Sequence, residues 1–174
     1  MNLLHDIAPG TKEKMNVIIE IPKESRNKYE IDKETGIIAL DRVLHTAQQY
    51  PFDYGFVPQT LWDDGDALDV ILLTTQPLLP GILVHARPVA VLPMVDGGEK
   101  DEKILAVPVS DPRFADLHDL KDVNPHTLKE ISHFFLTYKQ LQKKEVALGE
   151  WEGKDAAEAA FSRACELYQQ KKSA

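Results

Sequence analysis

Asp63-Asp64-Gly65-Asp66-Ala67-Leu68-Asp69-Val70-Ile71-Leu72-Leu73 runs from an acidic turn straight into an apolar strand. Gly65 lets the backbone turn sharply between two carboxylates. Asp69 then stands at the mouth of the run Val70 to Leu73, where a charge without a task is poorly placed. Working outward, the same alternation of short apolar runs and turn residues recurs. Val17 to Ile21 is rich in branched residues and halted by Pro22, which marks a strand with Glu20 inside it. Lys28 to Asp32 and Ile37 to Val43 flank Lys33-Glu34-Thr35-Gly36 and read as a hairpin, with Lys28 and Glu30 on one face and Tyr29 and Ile31 on the other. Asp53 to Val57, Asp69 to Thr75, Ile82 to Pro93 and Lys103 to Val109 are further strands between closely spaced Pro and Gly. Many short strands without intervening helices predict a closed or nearly closed barrel.

The pattern changes after Pro125. Leu128, Ile131, Phe135, Tyr138 and Leu141 recur at spacings of three and four, an amphipathic helix with Lys143 and Lys144 suited to its C-terminal end. A second helix is predicted from Asp155, as N-cap, to about Lys171, favoured by Ala156, Ala157, Ala159 and Ala160. The expected fold is thus mainly β with flanking helices (α+β). No repeat, low-complexity tract or linker interrupts the chain, so residues 1–174 read as a single domain.

Composition narrows the function. The chain has 174 residues, 20 Lys and Arg against 28 Asp and Glu, and a formal charge of −8. Such a surface repels nucleic acid and anionic lipid, which are held by clustered cations. Apolar residues make up 43% of the chain, enough for a core without staples. Cys165 has no second thiol for a disulfide or a zinc site, which suits a reducing cytoplasm. The first ten residues carry Asp6 and no long apolar stretch, unlike a secretory signal. The uncharged run Val70 to Ala86 is broken by Gln76, Pro77, Pro80 and Gly81, so no membrane span is expected.

The acids are clustered. Asp63, Asp64, Asp66 and Asp69 fall within seven residues, and Asp96, Glu99, Asp101 and Glu102 within another seven. Either cluster alone is most often a solvated turn, since Asp and Gly are ordinary turn residues. Together, converging carboxylates without histidine or cysteine describe a site for a hard cation, magnesium or manganese rather than zinc. An EF-hand would need glycine at its sixth and glutamate at its twelfth position; counting from Asp64, those places hold Asp69 and Thr75. The six histidines show no paired ligand spacing. No GxSxG, GxxxxGK[ST] or GxGxxG pattern occurs, which leaves covalent nucleophiles and nucleotide folds unsupported. Lys28, Arg42, Lys103 and Lys139 lie near the acids or in strands, and Tyr50 and Tyr54 bracket Pro51-Phe52-Asp53. Individually these are ordinary surface cations and core aromatics.

In combination, the residues resemble the soluble family I inorganic pyrophosphatases of prokaryotic type. Asp64-Gly65-Asp66-Ala67-Leu68-Asp69-Val70 matches that family's D-G-D-x-x-D-V signature. The resemblance continues through Val17 to Pro22, Lys28-Tyr29-Glu30, Asp41-Arg42, Tyr50-Pro51 with Tyr54-Gly55, Asp96-x-Gly98-Glu99-x-Asp101-x-Lys103 and Tyr138-Lys139. It implies a five-stranded OB-like barrel with two C-terminal helices outside it. The implied activity is hydrolysis of pyrophosphate to two orthophosphates by in-line attack of a metal-bridged water, without a covalent intermediate. Several Mg2+ ions serve as cofactor, with Mn2+ or another divalent ion as substitutes. By resemblance, Asp64, Asp69, Asp96, Asp101 and Glu30 hold metal and Asp66 is the general base. Lys28, Arg42, Tyr54, Lys103, Tyr138 and Lys139 bind phosphate, with Glu20 and Tyr50 in support. Gly97 departs from members that carry an acid there.

The charge balance agrees with that allocation. Two unit charges 4 Å apart repel by roughly 4 kcal/mol at an effective dielectric of 20. Seven carboxylates therefore cannot face pyrophosphate without divalent ions between. The resemblance further implies a cytoplasmic homo-oligomer, a hexamer by preference, with the Leu128 to Leu141 helix and His133 as contact surface. Two rival readings keep the barrel: a non-catalytic divalent-cation or phosphate-binding module, and an OB-type binder of single-stranded nucleic acid. The first has no need of Asp66 as a base. The second fits neither the −8 charge nor 7% aromatic residues.

Overall fold

The run that Pro22 halts is the end of the strand from which the barrel is built. The computed structural model describes residues 1–173. In chain order it contains β1 (Gly10–Thr11), β2 (Lys14–Ile21), β3 (Asn27–Ile31), β4 (Ile38–Val43), β5 (Asp53–Phe56), β6 (Asp69–Leu72) and β7 (Leu83–Leu92). After these come β8 (Met94–Asp96), β9 (Glu99–Lys100), β10 (Lys103–Pro108), α1 (Pro125–Thr137), β11 (Val146–Leu148), β12 (Glu152–Gly153) and α2 (Lys154–Ser173). Strands β2, β5, β6, β10 and β7 pair in that order, and β7 pairs back onto β2. The five-stranded barrel is thereby closed, with no free edge among those strands. Every neighbouring pair around it is antiparallel except β6 with β10, which is parallel.

Strand alternation sorts the side chains onto two faces. Val17, Ile19, Val70, Leu72, Ile104 and Ala106 cluster with Ala157, Ala160, Phe161 and Ala164 of α2. Ile71, Leu105 and Val107, of opposite parity, cluster with Ile131, Phe134 and Phe135 of α1. Asp69 and Lys103 share the parity of Ile71 and Leu105, so the polar ends of those strands open beside α1. Gly55 permits the tight crossing of β5 on β2, because a Cβ there would lie 1.9 Å from the Ile18 carbonyl oxygen.

Two irregularities matter for function. The β2–β5 register runs Ile19 opposite Gly55 and then Ile21 opposite Tyr54, which leaves Glu20 in a bulge. The β3–β4 hairpin similarly carries Asp41 as an extra residue between the Lys28–Arg42 and Tyr29–Leu40 pairs. Bulges re-aim the side chain they carry.

Both helices depart from the boundaries expected from local pattern. Helix α1 stops at Thr137, short of Leu141, and a 3-10 turn at Gln140–Gln142 leads into Lys143 at φ 56°. The cause is tertiary: Tyr138 stacks on Phe134 at 5.1 Å and Lys139 pairs with Asp96, so the chain must turn there. Lys143 and Lys144 therefore lie beyond the helix, and Leu141 is exposed. Helix α2 begins at Lys154, whose N–H donates to Asp119 Oδ1 at 2.9 Å. Its cap comes from a distant residue instead of Asp155.

Candidate active site

Side chains from β2, β3, β5, β6, β10, both acidic turns and the end of α1 line one cavity of about 350 Å³. Eight carboxylates and four lysines face it: Glu20, Glu30, Asp64, Asp66, Asp69, Asp96, Glu99 and Asp101, with Lys28, Lys33, Lys103 and Lys139. Tyr50, Tyr54 and Tyr138 complete the wall. Every residue to which the resemblance gives a role in the site is in this set except Arg42. Arg42 pairs with Lys28 across the hairpin, and its Nη1 donates to Asp41 Oδ2 at 2.5 Å.

The parallel β6–β10 pairing places Lys103 beside Asp69. Lys103 Nζ lies 2.5 Å from Asp69 Oδ2 and also pairs with Asp101. Its side chain is only 3% exposed. Burial alone would pull the ammonium down; Asp69 and Asp101 outweigh it and hold Lys103 above the ordinary lysine value, so it stays charged. Burial pushes the Asp69 carboxyl up despite Lys103 beside it, and burial likewise raises Asp64. At the other end, Lys139 pairs with Asp96 and Lys28 with Glu30, while Lys28 lies 3.4 Å from Asp41. Burial, with Arg42 near, lowers the Lys28 ammonium.

The tyrosines belong to an aromatic wall that α1 completes. Tyr50 lies 4.7 Å from Phe134, and Phe52 stacks on Phe135 at 5.5 Å. Burial raises Tyr50, Tyr54 and Tyr138 well above the ordinary phenol range, so all three remain neutral hydroxyl donors. Ile131, Phe134 and Phe135 are at most 4% exposed within this chain. The apolar side of α1 is thus covered by its own barrel, and the side bearing His133 and Leu136 faces outward.

Glu20, aimed inward by its bulge, accepts the Ile31 N–H at 2.7 Å. Burial, reinforced by Asp69, pushes its pKa up from 4.5 to about 8. A carboxyl raised on folding binds its proton more tightly in the folded state, so stability falls as pH climbs from 4.5 toward 8. Glu20→Gln keeps the acceptor for Ile31 and removes the titration. The metal-free variant is expected to match the parent below pH 4.5 and to exceed it by roughly 3 kcal/mol at pH 7, at about 1.4 kcal/mol per unit. Urea melts across that range check this, and parallel stability curves for the two proteins would refute it.

The donors suit a hard divalent cation, since the facing ligands are carboxylate oxygens with no imidazole or thiolate among them. Among the described residues, however, no three acidic or histidine side chains already stand in metal-holding geometry. Lysines stand between the acids, as Lys103 does between Asp69 and Asp101. Of the aspartates, Asp64 is instead engaged by the Asp66 N–H at 3.0 Å.

Sequence reasoning did not assign Glu99 or Lys33. Glu99 was visible in an acidic run and in the Asp96 to Lys103 motif without a role of its own, and Lys33 only as a turn residue. Gly97 and Gly98 form the β8–β9 turn with φ of 60° and 92°, and this places Asp96 opposite Glu99. An acid at position 97 would be strained in that backbone.

The family profile described as inorganic pyrophosphatase matches residues 17–169. An inorganic pyrophosphatase of a Nostoc species is 49% identical over 154 residues, covering 88% of this chain and 91% of its own. One from Haloferax volcanii is 46% identical over 173 residues and covers 98% of each chain. The crystal structure of inorganic pyrophosphatase from Thermus thermophilus superposes with a TM-score of 0.93 at 42% identity, covering 97% of this chain and 99% of that one.

Proposed function

We propose how this chain, which belongs to the inorganic pyrophosphatase family, carries out the hydrolysis of pyrophosphate to two orthophosphates. The observation that carries the proposal is the pairing of Lys28, Lys103 and Lys139 with acids in one cavity. Each lysine already holds an oxyanion, and a phosphate oxygen is chemically the same kind of partner. When bound, divalent cations, Mg2+ first and Mn2+ as a substitute, would be held by Asp64, Asp69, Asp96, Asp101 and Glu30 and would supply Lewis-acid polarisation and a more acidic water.

This chain's own groups do the rest. Lys28, Lys103 and Lys139, with Arg42 beside Lys28, bind and orient the phosphate oxygens and offset charge on the leaving phosphate. Tyr54 and Tyr138 donate hydroxyl hydrogen bonds, and Tyr50 helps the aromatic wall exclude water. Asp66 takes the proton of the attacking water as its oxygen bonds to one phosphorus, in line with the bridging oxygen whose bond breaks. Glu20 supports the site by holding the Ile31 backbone N–H.

We read residues 1–174 as one domain working in the cytoplasm, a homo-oligomer with the hexamer favoured, without nucleic-acid or membrane partners. The single cysteine supports the compartment, and among the described residues no helix is long and apolar enough to cross a membrane.

Phosphate release from pyrophosphate in Mg2+ tests the function. Two phosphates per pyrophosphate are expected, with release abolished by EDTA and restored by excess Mg2+. No release in Mg2+ would overturn the activity, and release indifferent to EDTA would overturn the metal requirement.

A further inference from the structure

We propose that Lys33 is a positioning residue for the reaction, a cation on the β3–β4 turn that holds Asp66 and its loop in place across the cavity. The proposal deepens the reading of Asp66 as general base and rests on it. Lys33 lines the cavity, its ammonium pairs with Asp66 Oδ1, and it also reaches the Gly65 carbonyl oxygen at 3.5 Å. Both contacts fall on the acidic loop. Among the described residues, Lys33 is the side-chain partner of the Asp66 carboxylate; the loop around it is closed by other bonds, Trp62 N–H to Asp66 O at 2.7 Å, Gly65 N–H to Trp62 O at 3.0 Å, Asp66 N–H to Asp64 Oδ1 at 3.0 Å and Arg163 to Asp63.

The hairpin end that carries Lys33 is well held. Asp32 Oδ1 accepts from the Thr35 N–H at 2.7 Å and the Thr35 hydroxyl at 2.6 Å. Gly36 N–H donates to Asp32 O at 2.7 Å, and the N-terminal segment braces the turn from behind through Leu3 N–H to Gly36 O at 3.2 Å. A cation rising from a braced turn onto a carboxylate with no other side-chain tether among the described residues fixes where that carboxylate waits. A base must lie within hydrogen-bond reach of the proton it takes, and small misplacements are costly in rate. The Lys33 and Asp66 side chains are 61% and 54% exposed, and pairs so exposed contribute little to stability. The effect of Lys33 therefore falls on turnover and leaves the fold intact.

The test uses Lys33→Met, Lys33→Arg, Asp66→Asn and the double variant Lys33→Met with Asp66→Asn, assayed on pyrophosphate in Mg2+. Lys33→Met is expected to lower kcat about tenfold, with KM and the melting temperature of the metal-free protein essentially unchanged. Lys33→Arg should recover most of the loss. In the Asp66→Asn background Lys33→Met should cost nothing further, because the group it positions is gone.

Unchanged kcat in Lys33→Met overturns the proposal, as does a raised KM at preserved kcat, which would make Lys33 a direct substrate ligand. A melting temperature that falls in step with kcat, or an additive loss in the double variant, overturns it too. Full turnover in Asp66→Asn would remove the base reading and the role of Lys33 together. A slow Asp66→Asn beside a fast Lys33→Met would sink the role of Lys33 alone.

Discussion

Asp66→Asn is expected to lower pyrophosphate turnover by about two to four orders of magnitude, the range supplied by a positioned general base, while the protein folds as before. The side chain is 54% exposed and its ion pair with Lys33 is open to solvent, so its removal costs at most about 1 kcal/mol. The hydrogen bonds that shape the loop, from Asp66 N–H to the Asp64 carboxylate Oδ1 and from Trp62 N–H to Asp66 O, do not involve the replaced carboxylate. Asparagine keeps the shape and removes the proton acceptor. Single-turnover rates with saturating Mg2+, beside a melting curve, separate chemistry from folding. Turnover within a few-fold of the parent would remove Asp66 from its role.

The second large effect is on stability. Lys103→Met leaves the Asp69 and Asp101 carboxylates facing one another without the ammonium between them. Removing one partner from a buried ionic group costs about 3–5 kcal/mol. In a chain of this length that lowers the melting temperature on the order of 10 °C. The pH dependence has a definite sign. Because Lys103 is raised on folding, its contribution is complete below the ordinary lysine value of 10.5 and is lost only as pH rises through the higher folded value. The deficit of the variant is therefore full at neutral pH, and it shrinks in acid as Asp69, raised by burial, takes up a proton. It should also shrink in excess Mg2+, since a divalent ion can replace the missing charge. Calorimetry of both proteins with EDTA and with Mg2+ measures this, and equal melting temperatures in EDTA would show that the triad is energetically idle.

These expectations rest unequally on what could be read locally. Val17 to Ile21, the hairpin around Lys33 to Gly36 and the strands at Asp53, Asp69, Ile82 and Lys103 were legible because branched residues, Pro and Gly act within a few residues of themselves. The helix boundaries were less so. Leu141 has the right spacing for α1, yet Tyr138 and Lys139 are drawn toward Phe134 and Asp96, contacts that no window of sequence contains. Asp155 has the chemistry of an N-cap, yet Asp119 takes the N–H of Lys154 from 35 residues away.

The site divides in the same way. Its carboxylates, lysines and tyrosines were nameable from two acidic turns and a handful of dipeptides, since ligand chemistry is a property of side chains. Where each one points was not. The bulge that turns Glu20 onto the Ile31 N–H exists because β2 must bend as it passes β5. Arg42 carries the right charge and pairs with Lys28 across the hairpin, yet its side chain is held by Asp41 and does not line the cavity. Lys33 looked like one more turn residue until the hairpin was laid across the acidic loop. The chain by itself determined which residue types it carries and which short stretches are strands, because propensity, alternation and turn chemistry are local. Only the closed barrel decided that Lys103 lies between Asp69 and Asp101, because the parallel pairing of β6 with β10 is a contact between strands some thirty residues apart.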